Sequence, residues 1–175
     1  MNDGCHNSSQ PGASANAGVN AWVDAGFPPN KIVLGVPSYG YVSRSNATGL
    51  RTRDVPLAPN PADKGVQVTS DDGSAETGQV QFRSLVAQGC LCEPPDAPGA
   101  FQGCGGCTRH WDSCSSTPFL LTSVGQVVAY DDTQSLELKA SYARQRGLLG
   151  VNMFDVHGDT DQFVLVDALR KGLGL

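Results

Sequence analysis

Six cysteines, five of them between positions 90 and 114, are the densest reactive side chains in this sequence. Cys90-x-Cys92 and Cys104-x-x-Cys107, with His110 close by, have the donor types of a zinc site. A structural zinc site pairs two Cys-x2–4-Cys units, however, and only one such unit is present, so no metal and no cofactor is expected. The even count of Cys5, Cys90, Cys92, Cys104, Cys107 and Cys114 fits disulfides formed in an oxidising compartment, with fifteen connectivities open. Two glycosylation sequons, Asn7-Ser8-Ser9 and Asn46-Ala47-Thr48, point to the same secreted setting. The carboxylates of Asp155-Val156-His157-Gly158-Asp159-Thr160-Asp161 form an acidic string with residue types that could supply acid–base chemistry. They stand where a strand gives way to a helix, and acids at that place complement the helix dipole. No catalytic residue is assigned to them. His6 and His157 belong to no partner pattern and are read as surface or loop residues.

The elements that must position such side chains follow from periodicity. The 175 residues are 39% hydrophobic and 17% charged, the range of a globular domain. A net charge of −5 with 12 Lys and Arg excludes a surface built to neutralise phosphates, so nucleic acid is not an expected partner. No apolar run reaches the roughly 18–20 residues of a membrane span. Ser14 to Ala25 reads as a helix with Ser14 as N-cap and Gly26 as stop, followed by a buried strand at Lys31 to Pro37. Asp132 caps a helix through Arg146, ended by Gly147. Leu148 to Phe154 reads as a second buried strand. A last helix spans about Thr160 to Lys171, with Phe163, Val166 and Leu169 on its core face and Gly172 beyond. Residues 42–131 are too long for a structureless loop. They predict a helix at Gly78–Ala87 and a hairpin from Pro118–Thr122 and Gln126–Tyr130.

Four segments in this order carry a family likeness: Lys31-Ile32-Val33-Leu34-Gly35-Val36-Pro37-Ser38-Tyr39-Gly40, Asp112 to Phe119, Tyr130-Asp131-Asp132-Thr133-Gln134-Ser135-Leu136, and Gly150-Val151-Asn152-Met153-Phe154-Asp155. Together they resemble glycoside hydrolase family 18, the chitinases, especially the fungal type. The resemblance implies an α/β fold, a (β/α)8 TIM barrel with an α+β insertion between the seventh strand and seventh helix. This chain would hold only the last two βα units, with strand seven at Ile32 and strand eight at Leu149. Residues 1–41 would then be barrel, 42–131 the disulfide-stapled insertion with mostly local bridges, and 132–175 barrel again. Asn2-Asp3-Gly4-Cys5 resembles the loop after the sixth strand. The polar start lacks a signal peptide, so the true N-terminus is expected to be missing.

The same resemblance assigns roles. Tyr39, past the carboxyl end of a parallel strand, would contact a sugar near the scissile bond, with Tyr41 where the family usually has arginine. Phe154 stands in place of a tryptophan that floors a sugar subsite, and Asp112, beside Trp111, matches an insertion aspartate facing the cleft. Tyr39, Trp111, Asp112 and Phe154 are therefore the expected substrate-binding residues for chitin or N-acetylglucosamine oligosaccharides. The family hydrolyses those chains with help from the substrate's own N-acetyl group. Its Asp-x-x-Asp-x-Asp-x-Glu signature occurs nowhere in these 175 residues. A monomeric, extracellular chain, inactive alone, is expected, with a non-catalytic chitin-binding module or a truncated product as alternatives.

Overall fold

Ser14 accepts the Ala17 N–H at 3.1 Å and so starts helix α1 (Ala15–Asp24) as the sequence predicts. The structure is a computed structural model, and residues 13–44 and 66–175 are described. Cys5 and the sequons at Asn7 and Asn46 lie outside them. After α1 come strands β1 (Val33–Pro37), β2 (Tyr39–Arg44) and β3 (Thr77–Gln81), then helix α2 (Phe82–Ala87). Short strands β4 (Leu91–Cys92) and β5 (Gln102–Gly103) precede β6 (Cys107–Asp112), β7 (Thr117–Thr122) and β8 (Gln126–Ala129). Helix α3 (Thr133–Gln145), β9 (Gly150–Phe154) and α4 (Val164–Leu173) complete the order.

Two sheets carry the architecture. β1 and β9 pair in parallel, Val36 opposite Met153 and Pro37 opposite Phe154. The second sheet is antiparallel, in the order β3-β2-β8-β7-β6. One contiguous core joins them: Val36 from β1, Val42, Val80, Leu120 and Val128 from the antiparallel sheet, Phe82 and Leu85 from α2, and Leu136, Ala140, Leu165 and Leu169 from α3 and α4. Each fully buried leucine there contributes about 1.5–3 kcal/mol. Disulfides Cys90–Cys107 and Cys92–Cys104 close the 90–107 segment over separations of 17 and 12 residues, and Cys114 is also disulfide-bonded. No described helix is long and apolar enough to cross a membrane.

Several expected boundaries move, each for a tertiary reason. Gly78 to Gln81 is strand, not helix, because it pairs with β2, Val42 opposite Gly78 and Gly40 opposite Val80; helix begins only at Phe82. The last helix starts at Val164, since the Asp159 carboxylate reaches forward to the Leu165 and Val166 N–H groups at 3.0 and 2.9 Å. Phe163 precedes the helix in the left-handed region and is exposed, so Leu165, Ala168 and Leu169 make the core face instead. Gly172 lies inside α4. A Cβ there would sit 2.4 Å from the Glu137 carbonyl oxygen, so the glycine permits close α3–α4 packing, and Gly174 ends the helix. The parallel strands are less covered than their apolar runs imply, with Val33 and Leu149 exposed. Among the described residues β1 and β9 pair only with each other, and each keeps an open edge.

Candidate functional site

The site is built around Ser38, the single residue between β1 and β2, which is 1% exposed. Its N–H donates to the Phe154 carbonyl at 3.1 Å, its hydroxyl to the Asp155 carbonyl, and its own carbonyl accepts from the Phe82 N–H at 2.9 Å. Gly158 packs against it so closely that a Cβ would lie 2.2 Å from the Ser38 hydroxyl oxygen. This knot ties the carboxyl ends of both parallel strands to the start of β2 and to α2. Tyr39 and Phe154 leave it on adjoining strands.

They line a cavity of about 490 Å³ together with Tyr41, Thr117, Asn152 and Asp131. Tyr39 and Tyr41 stand on one face of β2 with ring centroids 5.9 Å apart and planes at 88°. Phe154 is 68% exposed and Tyr41 56%. Gly40 between the tyrosines is required, because a Cβ there would fall 2.3 Å from the Ala129 carbonyl oxygen. Asp131 reaches the cavity with its charge already matched: one carboxylate oxygen accepts from Ser135 at 2.7 Å and the other from Lys139 at 2.5 Å. No basic side chain is among the described residues lining the cavity.

Trp111 and Asp112 are not brought to this cavity. Successive strand residues point to opposite faces. Trp111 shares a face of β6 with Arg109, two residues before it, whose guanidinium lies 5.6 Å from the indole centroid and bridges to Asp132 at 2.8 Å. Asp112 accepts the Cys114 and Ser115 N–H groups at 2.8 and 3.3 Å, which shapes the turn between β6 and β7. His110 stacks on Phe119 at 5.1 Å instead of meeting the cysteines. His157 meets Gln81 at 3.0 Å, tying the loop after β9 to the end of β3. Among the described residues no three His, Cys, Asp or Glu side chains converge as a metal site.

A larger hollow, about 860 Å³, lies between the 93–101 loop and the amino ends of α3 and α4, walled by Arg109, Asp132, Glu137 and Lys171. Two ion pairs lie within the wall, Arg109 with Asp132 and Lys171 with Glu137, and Glu93 and Asp167 line it as well. Tyr130, which lines the smaller cavity, has its hydroxyl buried without a hydrogen-bond partner among the described residues. Burial pushes that phenol far up, Asp132 adds to the rise, and Arg109 opposes it.

Of the four residues expected from the sequence, the structure brings Tyr39 and Phe154 to one cavity, beside Ser38, Asn152, Thr117 and Asp131, which the sequence reading did not single out. Asn152 carried a usable signal, a polar residue inside an otherwise apolar strand. Thr117 carried none, because only the β6–β7 register places it.

A cavity beyond the carboxyl ends of parallel strands is where α/β enzymes and binding proteins seat their ligands. The sequence model of the Glycosyl hydrolases family 18 matches residues 4–159, and the chain belongs to that family. It is 34% identical to a chitinase-like effector of Moniliophthora roreri, over 99% of this chain and 45% of that protein. Chitinase RmChi1 from Rhizomucor miehei superposes with a TM-score of 0.65 at 29% identity, covering 92% of this chain and 44% of that one. Human YKL-39, described as a pseudo-chitinase with retained chitooligosaccharide binding properties, has a TM-score of 0.72 at 19% identity over 100% of this chain and 44% of its own, a likeness of fold. The chain thus spans less than half the length of these relatives.

Proposed function

We propose that this chain binds chitooligosaccharides, oligomers of N-acetylglucosamine, without hydrolysing them, through the cavity walled by Tyr39, Tyr41 and Phe154. The observation that carries the reading is that cavity's make-up: four aromatic residues, Tyr39, Tyr41, Tyr130 and Phe154, an amide from Asn152, a hydroxyl from Thr117 and no lining base. Aromatic faces suit the apolar face of a pyranose, and the few polar groups fix its orientation. The sequence holds no Asp-x-x-Asp-x-Asp-x-Glu run. Without a carboxyl group to protonate the glycosidic oxygen, general acid catalysis is lost, a factor of about 10²–10⁴ by itself. In this reading β1 and β9 correspond to the seventh and eighth strands of the family's barrel. Residues 1–41 and 132–175 are then barrel segments and 42–131 the insertion, in a secreted, monomeric chain glycosylated at Asn7 and Asn46. Trp111 and Asp112 serve the insertion's own structure.

The reading is tested by calorimetry with N-acetylglucosamine tetramer and by retention on chitin beads, beside a cleavage assay. Binding without cleavage is expected, with loss of retention in a Tyr39→Ala/Phe154→Ala double variant. Turnover above a buffer blank overturns the non-hydrolytic half, and a double variant retained as well as the parent overturns the assignment of the cavity.

A further inference from the structure

We infer that the larger hollow, between the 93–101 loop and helices α3 and α4, is a second binding site whose ligand is a linear aliphatic polyamine. No residue lines both this hollow and the cavity at Tyr39, so the inference stands apart from the binding reading above. At about 860 Å³ the hollow falls within the range of small-molecule sites, roughly 300–1,000 Å³. Its loop wall is fixed in place. The Thr133 hydroxyl donates to the Gly99 carbonyl at 2.6 Å, the Gly99 N–H donates to the Glu93 carboxylate, and the Phe101 ring stands edge-on to Phe82 at 4.9 Å and 79°. The loop is thereby fastened to the start of α3 and to the core, and the Cys92–Cys104 disulfide closes its base.

The lining is apolar between separated charges. Pro98, Ala100 and Phe101 contribute from the loop, Val164 and Ala168 from α4. Both lining bases are committed: Arg109 to Asp132 and Gln134 at 2.8 Å, Lys171 to Glu137 at 2.9 Å. Two carboxylates are left over. Glu93 uses one oxygen on Gly99, and the exposed Asp167 side chain has no hydrogen bond or ion pair among the described residues. Asp167 is not needed to cap α4, since Asp159 already accepts from the Leu165 and Val166 N–H groups. A third acid, Glu137, is held only by Lys171, whose side chain is 72% exposed, and an exposed pair of that kind opens readily.

Glu93, Glu137 and Asp167 therefore stand on three separate elements around an apolar lining. An anion finds no free cation there, and a neutral guest leaves the surplus charge unmatched. A single compact cation answers one carboxylate and leaves the aliphatic surface uncovered. A chain of methylenes punctuated by ammonium groups answers both, its stems on Val164, Ala168 and Phe101 in the way lysine stems cover apolar surface, its charges on the carboxylates. The exposed Gln162 amide adds a neutral acceptor.

Calorimetry of the full chain with spermidine reads this directly, with thermal unfolding run on each variant to establish that it is folded. One equivalent is expected to bind, more weakly as ionic strength rises, and a diol of matching length is expected not to bind. Asp167→Asn and Glu93→Gln, which remove charge at constant shape, should each weaken spermidine about fivefold. Lys171→Met removes the cation that competes for Glu137 and should tighten it about threefold, a gain that no loss of structure imitates. Asp24→Asn, an exposed acid on α1 outside the lining, should match the parent. The proposal is overturned if spermidine does not bind, if salt leaves its affinity unchanged, or if the diol binds as well. Equal losses in Asp24→Asn and Asp167→Asn overturn it too, since the chain's overall acidity is then the attraction, and so does a Lys171→Met that binds no more tightly than the parent. A trilysine peptide that binds more tightly than spermidine assigns the hollow to a polypeptide and overturns the free polyamine. None of these outcomes touches the chitooligosaccharide reading, whose cavity is separate.

Discussion

Asp132→Asn should destabilise the protein by about 2 kcal/mol, and the structure fixes how that loss divides. Asp132 is 1% exposed and does two things at once. Its side chain caps α3 by accepting the Ser135 N–H at 3.1 Å, with the Ser135 hydroxyl accepting the Asp132 N–H in return. It also accepts from Arg109 Nε at 2.9 Å and from a second guanidinium nitrogen at 2.8 Å, joining β6 to the helix. Asparagine caps a helix about as well as aspartate, so the substitution removes only the ion pair. Stranding one member of a buried pair costs about 3–5 kcal/mol. Here the Arg109 side chain is 17% exposed and keeps Gln134 as a partner at 2.8 Å, so the cost falls below that range, to about 2 kcal/mol. Asp132→Ala loses the cap as well and should cost about 1 kcal/mol more. Adding Arg109→Met to Asp132→Asn removes the stranded charge at similar volume and should bring stability back to within about 1 kcal/mol of the parent. Urea unfolding with an unchanged slope measures all four proteins. If Asn and Ala lose the same amount, or if Arg109→Met restores nothing, the division into cap and ion pair is wrong.

Tyr130 gives a pH dependence whose sign can be worked out. Its phenol is pushed up first by burial and then by Asp132, so above about pH 10 the unfolded chain ionises while the folded one stays protonated. Its contribution is whole below that pH and falls as pH rises further; Tyr130→Phe should therefore flatten the decline in unfolding temperature between pH 9 and 11, and an unaltered decline would remove Tyr130 as its cause. Gly158→Ala drives a methyl into Ser38 and should cost about 1–3 kcal/mol together with tetrasaccharide affinity. Gly150→Ala, where a Cβ meets nothing within 4 Å, serves as the control that should change neither, and equal behaviour of the two would dissolve the Ser38 knot as the organiser of the site.

How much of this was legible in the sequence depends on whether the deciding contact was local. The caps at Ser14 and Asp132 were, because an N-cap bonds within three residues of itself. So was the hairpin of β7 and β8 around Gly125. Gly78 to Gln81 was misread because the partner that makes it a strand lies in β2, some forty residues earlier, and local spacing cannot see it. Phe163 was misread because Asp159 caps α4 from outside the helix, shifting its start and turning the ring outward. The site divides the same way. Tyr39 lies two residues past the end of β1 and Phe154 is the last residue of β9, which is a statement about local order. Trp111 and Asp112 depend on which face of β6 meets the core, and that is set by pairing with β7, Arg109 opposite Leu120 and Asp112 opposite Thr117.

The two sheets are not equally self-sufficient, and this bears on what binding requires. The antiparallel sheet has its own buried face of Val42, Val80, Leu120 and Val128, and the disulfide-closed segment beside it. Among the described residues the parallel pair has two open edges, with exposed apolar residues at Val33 and Leu149. The cavity takes Tyr39 and Tyr41 from the first and Asn152 and Phe154 from the second. The cavity is therefore only as well ordered as the junction between them, which is held at its rim by the Ser38 hydrogen bonds, the fit of Gly158 and the His157–Gln81 and Arg83–Asp161 contacts, above the common core that includes Val36. A change that loosens the junction without touching a ring should move Phe154 against Tyr39 and cost affinity for long oligosaccharides before it costs global stability, since local opening precedes unfolding where the covering contacts are few.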